Sequence, residues 1–174
     1  TVIDRRLKQI DPAGRELLQI ASVMGRILNI TLLQTIEPDI DMNRWLTDCL
    51  DAAVLEVNEG RWSFAHDKLR LGVLQHLSED ELCLLHTRIA SAMEQLYGSS
   101  TTHINLLAEH WGQAKNTERE AHYTILAGGE ELRIGLYESA IGRFKRVLDI
   151  IEESDSRYID IELNIAQAHL GRAE

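Results

Sequence analysis

Seven histidines, two cysteines and a surplus of acidic side chains are the residues of this 174-residue chain that could do chemistry. A metal site written into the local sequence needs ligands at fixed spacing. No two histidines stand at i, i+4 or as His-x-His, and Cys49 and Cys83 lack C-x-x-C spacing. There is no serine nucleophile elbow. There is also no G-x-x-x-x-G-K-[ST] loop to cradle a phosphate. Gly128-Gly129 lies inside a helical pattern with no strand before it, so it does not read as a phosphate loop. Glu130-Glu131 and Glu152-Glu153 read as solvated helix faces, and His86 and His110, beside apolar stripes, as packing residues. These readings predict no catalytic residue, no metal and no enzyme in this stretch. One pair has a defined position. His66-Asp67 stands where a strand period (Trp62, Phe64) gives way to a helical one (Leu69, Val73, Leu74, Leu77). Asp67 is expected to cap that helix, its carboxylate accepting free N–H groups of the first turn.

The elements before this joint are read from periodicity and stop signals. Ile3, Leu7 and Ile10 predict a short lead-in helix. Asp11-Pro12 then reads as N-cap and first helical residue of a helix carrying Leu17, Leu18, Ala21 and Met24, ended by Gly25. Thr31 is expected to cap a short helix with Leu32, Leu33 and Ile36, ended by Pro38. In Asp41–Ala53, the residues Met42, Trp45, Leu46, Cys49 and Ala53 share one face. Val54–Val57 and Arg61–His66 read as strands joined at Asn58-Glu59-Gly60. Three helices, a hairpin and another helix is the order of a winged-helix domain. A hairpin this short must pack its Trp62/Phe64 face on the helices.

After Leu77 the pattern is helical throughout. Ser78-x-x-Glu81 is a capping box ahead of a stripe of Leu82, Leu85, Ile89, Ala92, Met93 and Leu96, ended by Gly98. Ser99–Thr102 reads as a hinge or boundary. Ile104, Leu107, Ala108 and Trp111 share the next face. Thr117 is expected to cap a helix reaching about Ile134, and Gly135 breaks it. Glu138–Glu152 carries Ala140, Ile141, Phe144, Val147, Leu148 and Ile151 inward. The last helix, from about Ser156 to Leu170, is apolar on two faces, which predicts further chain packed on it. Against the tetratricopeptide pattern, Gly128, Ala140 and Phe144 keep the required spacing, whereas Thr124, Glu131 and Glu152 stand where Trp, Tyr and Pro are usual. The reading is one degenerate repeat over Ala121–Ser154 and the first helix of another. The fold class expected is thus mainly α: a winged-helix domain with a small β-hairpin over 1–77, followed over 78–174 by a tetratricopeptide-like helical array cut short at its C-terminal end.

Net charge is −10, and most of it falls after Leu77. Neither half offers the positive field that a phosphate backbone requires. The third helix, which enters the major groove in DNA-binding winged helices, carries Asp41, Asp48 and Asp51 against Arg44 alone. Nucleic acid is therefore not an expected partner. No apolar run spans a bilayer and the N-terminus lacks a signal-peptide core, so no membrane partner is expected. Cys49 and Cys83 sit in apolar helical patterns and read as buried hydrophobes in a reducing, cytoplasmic setting, with a disulfide between them the less favoured alternative. Asn29-Ile30-Thr31 is read as an incidental sequon.

Taken in order, Pro12-Ala13-Gly14-Arg15-Glu16-Leu17-Leu18, Met24-Gly25, Phe64-Ala65-His66-Asp67, Leu85-His86, Tyr97-Gly98 and Ala108-Glu109-His110-Trp111 resemble the STAND class of signal-transducing ATPases. The bacterial relatives include multidomain transcription activators. Members couple a P-loop nucleotide switch to a winged helix and a helical-repeat sensor arm. The resemblance implies that a nucleotide-binding domain holding ATP or ADP adjoins this stretch, which binds no cofactor by itself, and that the arm receives a protein or small-ligand signal. His66-Asp67 is similar to the His-Asp of the Met-His-Asp motif of plant resistance proteins, whose His contacts the ADP β-phosphate. Phe64 stands two residues before His66, where the motif has Met directly before it. The resemblance makes His66 a nucleotide phosphate sensor and Asp67 the helix cap that orients it. The alternatives are a stand-alone repeat adaptor and a DNA-binding winged-helix regulator.

Overall fold

The computed structural model describes residues 2–98 and 100–173. The described chain is mainly helical: α1 (Val2–Leu7), α2 (Pro12–Met24), α3 (Ile30–Ile36), α4 (Met42–Asp51), β1 (Leu55–Asn58), β2 (Arg61–Phe64), α5 (Asp67–Leu74), α6 (Glu79–Tyr97), α7 (Ile104–Gln113), α8 (Thr117–Arg133), α9 (Tyr137–Leu148) and α10 (Tyr158–Ala173). Two compact units, Thr1–Ala92 and Met93–Glu174, divide inside α6. The element type changes after Leu77, and α6 then runs unbroken to Tyr97, followed by Gly98 at φ +55°. Of the expected break at Ser99–Thr102, Ser99 lies outside the described residues. No helix among the described residues is long and apolar enough to cross a membrane.

In the first unit, Asp11 caps α2 as its position demands, its Oδ1 accepting from Gly14 N at 2.6 Å. Gly14 also permits a close helix approach. A Cβ there would lie 2.8 Å from Ile10 Cγ2 and 3.0 Å from Trp45 Cδ1, and the Trp45 indole N–H donates to Gly14 O at 2.9 Å. α4 begins after the Asp41 cap and buries Met42, Trp45, Leu46 and Cys49. It ends before Ala53, which turns out of the helix at φ +52° and is exposed; Ala52 is buried next to that stripe. α3 is capped by Asn29, not Thr31: the Asn29 side chain accepts from Leu32 N at 3.0 Å.

The hairpin turns on Glu59 and Gly60, both left-handed at φ +52° and +75°, the geometry that suits a two-residue turn between twisted strands. Leu55 faces Phe64 and Val57 faces Trp62 across the pair. Leu55 and Phe64 are buried at its root, Trp62 is half-buried and Val57 is exposed at its tip. The pair is not left alone. Along the other edge of β2, Leu28 N donates to Trp62 O at 2.9 Å and Phe64 N to Arg26 O at 3.0 Å, so 26–28 adds a short third rung. That rung fastens the hairpin to the segment leaving α2, and it was not foreseen, because three residues carry no period.

In the second unit α7, α8, α9 and α10 pack in sequence, each on the next. Ala121, Ala140, Phe144, Val147 and Ile161 form its core. The closeness of α8 and α9 depends on Gly128, where a Cβ would stand 2.9 Å from the Phe144 ring. Gly171 does the same for α10, beside the Tyr137 ring. α8 is capped by Asn116 through Arg119 N at 3.1 Å, not by Thr117, which is its first residue. α9 stops at Leu148 rather than Glu152. At the Glu94 carboxylate three elements meet: the Trp111 indole N–H donates at 3.0 Å and Arg119 at 2.6 Å, with the guanidinium 5.3 Å over the indole.

Candidate functional site

The strand-to-helix joint is where sequence and geometry agree on a defined position. Its backbone is held from both sides. Ala65 N donates to Val54 O at 3.0 Å, and His66 O accepts from Leu69 N at 2.9 Å, closing the first turn of α5. His66, at φ −143° and ψ 140°, occupies the cap position in extended backbone. Its imidazole is exposed and makes no capping bond, so it is free to meet a group outside the unit.

Asp67 has a different place from the one its chemistry suggested. It is the first helical residue, and its Oδ1 accepts from Arg70 Nε at 2.9 Å. As a cap it would have to precede the helix, and His66 fills that position. Its negative charge still suits the helix N-terminus. Arg70 in turn donates through Nη1 to Ser22 O at 3.1 Å, in the last turn of α2. One guanidinium therefore neutralises Asp67 and meets the C-terminal carbonyl end of α2, tying the start of α5 to α2. With Asp67 neutralised, an anion approaching His66 meets the N-terminal end of α5 and exposed Lys68 without a bare carboxylate beside it. Sequence reading missed Arg70, although its i, i+3 spacing from Asp67 was a usable signal.

No family model, curated protein or solved structure matches this chain.

Concave surfaces lie elsewhere. A cavity of about 210 Å³ sits between the starts of α2 and α4, walled by Ile10, Ile40 and Trp45 with Asp11, Asp41, Asp48 and Arg44 at its rim. A groove of about 600 Å³ runs along α7, α8 and α9, where Arg143 and Arg146 reach the groove. Both arginines are engaged, Arg143 with Glu131 at 2.7 Å and Arg146 with buried Glu120 at 2.8 Å. Among the described residues no group of three or more His, Cys, Asp or Glu side chains could hold a metal ion. His110 is buried and His86 half-buried, each within its helix stripe. Both cysteines are free thiols, and burial, with the nearby Asp48 and Asp11 charges, pushes Cys49 up to about 12, which makes it a poor nucleophile.

Proposed function

We propose that this chain is a non-catalytic regulatory segment of a STAND-type ATPase. In this reading its first part is a winged helix that couples a neighbouring nucleotide switch to a helical, tetratricopeptide-like arm. The order of three helices, hairpin and α5, the hairpin's fastening to 26–28, and the stacked helices of the second unit support it. The observation that carries it is the exposed, uncommitted His66 imidazole on a fixed backbone at the start of α5. An imidazole there can donate to a phosphate oxygen, and the helix N-terminus favours the anion. ATP or ADP would be held by the adjoining domain, with His66 sensing it, Asp67 and Arg70 setting the joint, and the arm receiving a protein or small ligand. Such a switch needs two arrangements of this segment against its partner domain.

The test is ADP release from the full-length ATPase. His66→Ala is expected to speed release about tenfold, the loss of one charge-assisted hydrogen bond. An unchanged ADP off-rate ends the sensor role. Asp67→Asn, which removes the Arg70 ion pair but leaves the imidazole, is expected to have a smaller effect.

A further inference from the structure

The outer face of α10 carries an exposed apolar stripe. Ile161 and Ala168 point into the core of the second unit and are 1% and 0% exposed. On the opposite side Ile159, Leu163 and Leu170 are 69%, 61% and 71% exposed, and Ala166 is exposed between them. These four positions follow intervals of four, three and four residues, which places them in one stripe along the helix. The intervals read the same in both directions. A second α10 laid antiparallel therefore sets Ile159 against Leu170 and Leu163 against Ala166, twice over.

The flanks select the same arrangement. Asp160 and Gln167 border the stripe on one side, Glu162 and His169 on the other. In an antiparallel pair each flank meets its own copy reversed, so Glu162 faces His169 of the second chain and Asp160 faces Gln167. In a parallel pair each flank would instead meet the opposite one, so Glu162 would face Gln167 and lose its basic partner. The geometry points to a second copy of this chain as the occupant, bound through α10 in an isologous antiparallel helix pair. One stripe of four side chains covers less than the roughly 800 Å² per partner of a standard interface, so the dimer is weak and fills only at high concentration. The inference does not depend on a nucleotide partner.

Sedimentation velocity of the 174-residue chain from ~5 to ~500 µM tests it. A concentration-dependent dimer is expected. Leu163→Asp is expected to weaken it at least about tenfold, and Leu170→Glu, at the more exposed end, serves should the first variant lose helix by circular dichroism. His169→Glu is expected to weaken the dimer about threefold, and Glu162→Lys added to it to restore the wild-type constant. A monomer throughout overturns the inference, leaving the stripe to a helix of another chain or of a longer one. So does a dimer indifferent to both Leu163→Asp and Leu170→Glu, or one that the charge exchange fails to rescue.

Discussion

Gly128 and Gly129 are neighbours on α8 with opposite demands. At Gly128 a methyl group would press on the fully buried Phe144 ring at 2.9 to 3.2 Å, whereas nothing lies within 4 Å of one at exposed Gly129. Gly128→Ala is expected to destabilise by about 1–3 kcal/mol through overpacking. Gly129→Ala is expected to stabilise by about 0.5–1 kcal/mol, because glycine is a poor helix residue. Urea unfolding of the two variants checks the opposite signs. Asp155 offers a second test. The Arg157 guanidinium, and then the Arg157 backbone N–H, hold its carboxyl down to about 2, against about 3.9 in an unfolded chain. A depressed acid contributes fully above its unfolded value and loses its contribution as pH falls through the folded one. The Tm gap between wild type and Asp155→Asn should therefore be widest near neutrality and close between about pH 4 and pH 2.

At the scale of elements, caps decide where helices start. Asn29 and Asn116 hold the first free N–H groups of α3 and α8, and Thr31 and Thr117, the residues favoured on sequence, lie inside those helices. Asparagine ranks above threonine at this position, and its amide oxygen reaches the N–H of the third helical residue. Asn116→Ala should cost about 1 kcal/mol and Thr117→Ala much less, read from thermal unfolding followed by circular dichroism. The Ser78 capping box is complete. Glu81 N donates to Ser78 Oγ at 3.3 Å, and the Ser78 N–H and then the Ser78 hydroxyl, each donating to Glu81 Oε2 at 2.7 Å, hold the Glu81 carboxyl below its ordinary range. The hairpin shows what an element gains from neighbours. Two four-residue strands are marginal alone, and the rung at 26–28 with the burial of Leu55 and Phe64 anchors them.

For the whole molecule the governing quantity is charge. The chain carries −10, and α4 with its cap presents Asp41, Asp48 and Asp51. The exposed Arg44 already lies 3.9 Å from Asp48. A duplex would meet repulsion along that helix. No gel shift is expected with duplex DNA at moderate salt up to ~10 µM protein, and a salt-dependent shift below micromolar concentration would favour the DNA-binding alternative.

Much of the secondary structure was legible because local physics writes it. Periods of 3.6 and 2 marked the helices and the hairpin, Asp11-Pro12 and Ser78-x-x-Glu81 marked two starts, and Gly25, Gly60, Gly98 and Gly135, all at positive φ, marked ends and a turn. The spacing of Gly128 and Phe144 even anticipated their contact. What depends on residues far apart was not written locally. The Ser22 carbonyl that receives Arg70, the 26–28 rung on β2, the Glu94 meeting point and the Gly171–Tyr137 contact each join segments whose nearness the packing alone creates. The sequence by itself thus determined the elements, their faces and the exposed histidine's place at a helix start. Only the tertiary structure decided that the Arg70 paired with Asp67 would also reach the Ser22 carbonyl, since that contact follows from where α2 ends in space.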